Sequence, residues 1–190
     1  MKMRFPAVFP AISLLISCSG PYTPKPEGYL RFDPPPVVYT ELNISDLPYK
    51  FNISRSAAIE IPPADTAEYW INITYPQWNA KIYCSFETIT PQTLDDFTTD
   101  CRKLVSRTVH KASAINEKMY ENADNKVYAT LFEMEGETAS PLQFMLTDSL
   151  SRFFRGALYF ECKPNVDSLT PYTEFLRNDV IELIQTFEWK

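Results

Sequence analysis

The stretch that decides the fold is SPLQFMLTDSLSRFFRGALYF, residues 140–160. Both halves are apolar and rich in aromatic side chains, and Asp148-Ser149 between them is typical of a turn. The pattern therefore predicts two antiparallel strands, at 141–147 and 152–162, that meet at this turn.

Three polar residues, Gln143, Arg152 and Arg155, lie among the large apolar side chains of this stretch. An arginine in such surroundings is either buried with a partner, for which Asp148 and Asp167 are candidates, or exposed as an interface anchor. Both interpretations remain open at the level of sequence.

Short strand-like segments and two amphipathic segments flank the central stretch. Strands are predicted at 37–42, 49–53, 57–61, 69–75, 80–86, 118–122 and 126–135. A first helix is predicted from Thr90-Pro91, with an apolar stripe that runs from Leu94 to Ala112. A second helix is predicted from Thr170-Pro171 to Thr186, with a stripe that continues to Phe187.

This order of elements predicts an α+β fold, in which one antiparallel sheet carries the helices. Strands, a helix, a four-strand meander and a closing helix also resemble the α/β/α sandwich of Mog1 and PsbP-like proteins. That resemblance is one of fold only.

The N-terminus has the form of a bacterial lipoprotein signal. Lys2 and Arg4 precede an apolar run over residues 5–16, and Ser17 stands before Cys18. We expect residues 1–17 to be removed and Cys18 to carry acyl chains that hold the protein on a membrane. The alternative is an ordinary cleaved signal with an unrelated cysteine.

Residues 18–36 are predicted to be a tether, and residues 37–190 a single globular domain. Six prolines between residues 19 and 36 favour an extended, semi-rigid spacer. A second interpretation is that residues 28–32 form a docking segment, because they include three large apolar side chains.

Composition excludes several classes of function. The formal net charge of −6 disfavours nucleic acid as a partner, and the four glycines are not spaced for a phosphate-binding loop. Cys84, Cys101 and Cys162 have no metal-ligand spacing, so we expect no metal and no small-molecule cofactor. We expect the three thiols to be buried and unbridged; if one pair forms, Cys84 with Cys162 is the candidate.

Catalytic residues are not evident either. His110 is the single histidine, and the chain has no Gly-x-Ser-x-Gly turn. Adjacent carboxylates such as Asp95 and Asp96 diverge on a helix. We therefore expect no catalytic site, and an envelope hydrolase built on His110 is the weakest functional alternative.

Several segments resemble the gliding-motility lipoprotein GldD family of Bacteroidetes, across nearly the whole chain after Cys18. The resemblance rests on residues 24–29, 109–115 and 140–160, on Pro164-Asn165 and Asp167-Ser168, and on the closing residues 187–190. It implies a non-enzymatic component of the cell envelope that is needed for gliding and linked to type IX protein secretion.

The family resemblance gives the functional prediction: a lipid-anchored structural or assembly partner of other gliding and secretion proteins. No acidic run follows Cys18, which favours the periplasmic face of the outer membrane. The candidate interaction surface comprises Gln143, Asp148, Arg152, Arg155 and Asn165. The alternative is a periplasmic ligand- or peptide-binding lipoprotein, with a concave apolar pocket that holds Arg155 and Gln143.

Three Asp-Ser/Thr-apolar triplets, with acceptors Thr66, Ser149 and Ser168, resemble the O-glycosylation signal of Bacteroidetes. Turn chemistry explains the same triplets equally well.

Overall fold

The structure is a computed structural model, which describes residues 32–63, 68–108, 112–162 and 166–190. The predicted signal peptide, Cys18 and most of the tether lie outside these ranges. Thr66, His110 and Asn165 also lie outside them.

Ten strands and two α-helices make up the described residues. In chain order they are β1 (Tyr39–Leu42), β2 (Tyr49–Ser54), β3 (Ala58–Glu60), β4 (Ile71–Tyr75), β5 (Ala80–Thr88), α1 (Leu94–Thr108), β6 (Ala112–Asn122), β7 (Val127–Gly136), β8 (Leu142–Thr147), β9 (Arg152–Phe160), α2 (Val166–Thr186) and β10 (Glu188–Trp189). A 3-10 helix, Pro76–Trp78, joins β4 to β5, and Asn79 follows it in the left-handed conformation.

The strands form two antiparallel sheets. Seven of them lie in the order β3-β4-β5-β9-β8-β7-β6, and a smaller sheet has the order β1-β2-β10. The predicted α+β class is confirmed, whereas the prediction of a single sheet is wrong. In the second sheet β2 pairs with β1 on one side and with β10 on the other, where Trp189 lies opposite Tyr49.

The stretch at 140–160 forms the predicted hairpin. Thr147 lies opposite Phe153 and Gln143 lies opposite Ala157; β9 is the central strand of the large sheet, and β8 is its neighbour. Gly156 makes this pairing possible, because a Cβ atom at that position would lie 2.1 Å from the ring of Phe144.

One face of the large sheet, called here the α2 face, packs against α2 and the small sheet. Its core has side chains from β4, β5, β7, β8 and β9, together with the predicted stripe of α2, which is buried throughout. The stripe residues are Phe175, Leu176, Val180, Leu183, Ile184 and Phe187. The aromatic rings of Tyr49, Phe51, Phe154 and Phe187 contact one another at the centre of this layer.

The opposite face, called the α1 face, is covered by a smaller cluster. Cys101 and Val105 of α1 pack with Phe132, Met145 and Phe153 of the sheet. Thr90 caps the turn that leads into α1, because its hydroxyl accepts a hydrogen bond from the N–H of Thr93 at 3.3 Å.

Three predicted helix boundaries are wrong, and the first is the start of α1, which lies at Leu94 instead of Pro91. The first helix ends at Thr108, and Ala112 begins β6, which therefore starts six residues before the predicted Lys118. The second helix begins at Val166 and contains Pro171, which was predicted to be its first residue. A proline inside a helix removes one backbone hydrogen bond, and the buried stripe that follows offsets this cost.

Candidate functional site

The β8–β9 hairpin contains four of the predicted site residues: Gln143 on β8, Arg152 and Arg155 on β9, and Asp148 in the turn between the strands. Asp148 lies at its turn, where its carboxylate accepts hydrogen bonds from the N–H groups of Leu150, Ser151 and Arg152 at 2.7–2.9 Å. Asp148 is therefore bound to the turn backbone, and its contact with Arg152 is through the backbone N–H of that residue.

The same contacts set the acidity of Asp148. Burial alone would raise the pKa of this carboxyl, but the hydrogen bonds from the turn outweigh it and hold the pKa below its ordinary value. The carboxylate thus stays ionised and keeps the hairpin turn in one conformation.

Arg155 is partly exposed and its partner is an amide. Its Nη2 donates a hydrogen bond to Oε1 of Gln143 at 3.1 Å. Gln143 is only 2 % exposed, so it lies beneath the arginine and does not itself reach the surface. Gln143 thereby holds the guanidinium of Arg155 in a fixed position at the edge of α1.

The charge of Arg155 acts on the thiol of Cys101, which lies on α1. Burial raises the pKa of the Cys101 thiol to about 11, although the positive charge of Arg155 acts in the opposite direction. Arg155 itself is half-buried, whereas Cys101 is buried.

An aromatic pair lies on the uncovered part of the α1 face, and the sequence did not single it out. Tyr83, 46 % exposed, contacts Tyr159 edge-on with ring centroids 5.7 Å apart. The Nζ of Lys81 lies 5.7 Å from the ring of Tyr83 and 3.0 Å from Glu60. The alternation of Lys81, Tyr83 and Ser85 with buried Ile82 and Cys84 was the signal that could have found it.

The hairpin tip completes the surface. Ser149 has a positive φ of 64° and is exposed, as is Leu150. Arg152 is partly exposed at the base of the turn, where its carbonyl oxygen accepts a hydrogen bond from Thr147. The interaction surface remains a prediction, as does glycosylation of Ser149 and Ser168.

A cleft of about 760 Å³ lies elsewhere, on the α2 face. Its walls come from β6, β7, the start of β8 and the first half of α2, and they include Lys118, Glu133, Leu142, Leu169 and Arg177. Arg155 and Gln143 are not among its lining residues, since they lie on the other face of the sheet.

Asp179 of α2 forms a buried polar cluster that the sequence did not indicate. It accepts hydrogen bonds from the hydroxyls of Tyr39, at 2.9 Å, and Tyr75, at 3.0 Å. Burial raises the pKa of Asp179 above its ordinary value, against the effect of these hydrogen bonds. The cluster joins α2 to both sheets.

The three cysteines among the described residues are free, with Cys84 and Cys101 buried but Cys162 exposed. The prediction that all three thiols are buried is therefore wrong for Cys162. A bridge from Cys84 to Cys162 does not fit, because Cys84 lies opposite Gly156, and even Phe160 is about 14 Å further along β9.

Two further observations concern the described ranges alone. No group of three His, Cys, Asp or Glu side chains there is arranged to hold a metal ion. No described helix combines the length and the apolar character that a membrane crossing requires.

The fold and the leader together define an α+β domain carried behind a sequence of lipoprotein form. The family model for gliding motility lipoprotein GldD matches residues 19–189, and the chain belongs to this family. No curated protein was found to match it. Membership confirms the resemblance seen in the sequence, and it places the chain in the cell envelope as a membrane-anchored lipoprotein of gliding motility.

Proposed function

We propose that the chain is a non-enzymatic assembly partner in the apparatus for gliding motility and type IX protein secretion. The observation that carries the proposal is the family match over residues 19–189, which begins directly after Cys18. In this proposal acyl chains on Cys18, palmitate among them, hold the protein on the periplasmic face of the outer membrane.

The position of Phe32 refines the proposed tether. Its ring lies 4.6 Å from that of Tyr172 and 5.7 Å from that of Phe175, and it also contacts Trp78 at 5.9 Å. Phe32 therefore contacts the domain although it lies within the predicted tether, whereas residues 33–38 are exposed. Phe32 docks on its own domain, which accounts for one of the apolar residues in the 28–32 segment.

Arg155 and the exposed Tyr83 support a partner surface on the α1 face. Arginine and tyrosine contribute strongly at protein interfaces, particularly where a neighbour fixes the side chain before binding. Gln143 fixes Arg155 at 3.1 Å, and Tyr159 supports Tyr83. Arg152 and the hairpin turn at Asp148 extend the proposed surface.

The test is a strain that lacks the gene, scored together for colony spreading and for secreted protein. We expect both to fail, a wild-type copy to restore both, and a Cys18→Ala copy to restore neither. Normal spreading and secretion in the deletion strain would overturn the proposal. Full rescue by Cys18→Ala would overturn the lipid anchor.

The cleft on the α2 face favours a second candidate function, a peptide-binding lipoprotein. Its volume of about 760 Å³ is within the range of known ligand pockets, and apolar Leu142 and Leu169 line it beside charged Glu133 and Arg177. Isothermal titration of the whole chain with peptides tests it, and absence of binding to any of them would count against it.

A further inference from the structure

Among the described residues, the β6 strand forms a long, open edge of the large sheet. It spans Ala112–Asn122, lies at the end of the strand order and pairs with β7 on one side. Residues 114–119 are all exposed. The outer N–H and C=O groups of such a strand are a template on which another extended chain can pair.

Edge strands are commonly protected by charged side chains, but the two central charges of β6 are bound elsewhere. Glu117 accepts two hydrogen bonds from Arg102 of α1, at 2.7 and 2.9 Å. Lys118 lies 3.0 Å from Glu133 of β7. Each of the two charges is therefore paired within the protein, with Arg102 or with Glu133.

Apolar side chains lie beside the bound Glu117. Ile115 and Met119 share its side of β6, on the α1 face, and are 37 % and 87 % exposed. A strand that pairs with β6 would cover both of them with its own side chains on that face.

The cleft lies on the other face of the same edge. Lys118 of β6 forms one wall, and Thr173, Glu174 and Arg177 of α2 form the opposite one. Because side chains of an extended chain alternate between the faces of a sheet, every second residue of an added strand would point toward this cleft. Backbone pairing would then supply affinity, and the cleft selectivity.

The charges that line the cleft indicate which side chains of an added strand would fit there. Four glutamates line it, at positions 133, 135, 137 and 174, against two cations, Lys118 and Arg177. Both cations lie within 3.0 Å of one carboxylate oxygen, on Glu133. The remaining acidic character, which includes the exposed Glu135 and Glu174, is complementary to lysine or arginine.

We propose that β6 and the adjoining cleft bind an extended segment of a partner protein in which apolar residues alternate with lysine or arginine. This inference rests on the proposed function in that both require a partner. It adds a surface distinct from the hairpin, and it names the chemistry of the segment.

The test measures binding of a labelled peptide of alternating valine and lysine to the whole chain in a neutral detergent. A peptide of the same composition with its valines and lysines in two blocks controls for charge alone. We expect the alternating peptide to bind at least about tenfold more tightly. It should also slow amide hydrogen exchange at residues 114–120.

Charge-reversal variants of glutamates in the cleft test whether the cleft contributes to peptide binding. We expect Glu135→Lys combined with Glu174→Lys to weaken binding at least about tenfold, whereas Glu60→Lys on β3, at the opposite edge of the sheet, should leave it unchanged. Equal affinity for the block peptide, unchanged exchange in β6, or an equal effect of Glu60→Lys would each overturn the proposal.

A second copy of the chain is the competing occupant. If the protein alone is a dimer and Met119→Lys makes it a monomer, the edge pairs with itself and the proposal is wrong. The deletion strain separates the two proposals: failed spreading without peptide binding overturns only the strand site, and peptide binding with normal spreading overturns only the proposed function.

Discussion

The two faces of the seven-stranded sheet differ in how completely they are covered. On the α2 face a 21-residue helix and a second sheet enclose a continuous aromatic layer, in which Phe154 and Phe187 have ring centroids 5.2 Å apart. On the α1 face a 15-residue helix covers Phe132, Met145 and Phe153, while Tyr83 and Met119 remain exposed. The comparison indicates that stability comes mainly from the α2 face, and that the described residues leave more of the α1 face and the β6 edge exposed.

The largest expected effect is loss of the aromatic layer. Phe187→Ala removes a fully buried ring, and we expect the free energy of unfolding to fall by about 3–5 kcal/mol, measured by urea denaturation. Leu150→Ala, at the exposed hairpin tip, is the control and should change it by less than about 0.5 kcal/mol. Similar losses in the two variants would contradict the difference between buried and exposed positions.

The next effect comes from the contact between Gly156 and Phe144 on the same face. Gly156→Ala places a methyl group against the ring of Phe144, so we expect a loss of about 1–3 kcal/mol in the free energy of unfolding. Adding Phe144→Leu makes room for the methyl group, and the double variant should lose less than the two single variants combined. Strict additivity in chemical denaturation would show that the two positions are not coupled.

On the α1 face we expect a smaller loss from Arg155→Ala. It leaves Oε1 of the buried Gln143 without its hydrogen bond from Arg155, which costs about 1–2 kcal/mol, while the domain stays folded by circular dichroism. Arg155→Ala with Gln143→Leu removes both polar partners and should recover part of the loss. Unfolding of Arg155→Ala would show that the arginine is needed for the fold, and so would contradict its assignment to the partner surface.

The smallest effects are those of pH, and their signs differ between two aspartates. The pKa of Asp148 is lowered in the folded state, so its contribution to stability is present above its unfolded pKa and is lost as pH falls through the folded value. The pKa of Asp179 is raised, so its contribution is present below its unfolded pKa and is lost as pH rises through the folded value.

Urea denaturation across the acid range tests these signs. Relative to the wild type, Asp148→Asn should lose less stability on acidification, and Asp179→Asn should lose less as pH rises from about 4. Identical pH profiles for the wild type and both variants would contradict the assignment.

Local patterns predicted most of the fold. The β8–β9 hairpin and the buried stripe of α2 follow from alternation and from three-to-four-residue spacing, which depend only on neighbours in sequence. The second sheet was not predictable in the same way. Its strand β10 has two residues, and its pairing with β2 depends on Trp189 meeting Tyr49 across most of the chain.

The candidate site was likewise predictable only in part from the sequence. The sequence identified Gln143 and Arg155 as unusual polar residues in an apolar stretch, but only the register of β8 against β9 shows that they bind each other. The β6 edge was missed for a related reason. An exposed edge is defined by the strand order of the whole sheet, which periodicity along one segment does not contain.

The most direct test of the account is to alter the open edge without disturbing the covered face. A deletion strain would carry Ile115→Lys combined with Met119→Lys, and the control would carry Ile61→Lys, at an exposed apolar position away from β6. We predict wild-type protein levels for both, normal colony spreading for the control and failed spreading for the β6 variant. Normal spreading by the β6 variant would contradict the claim that the uncovered edge is where this protein binds its partner.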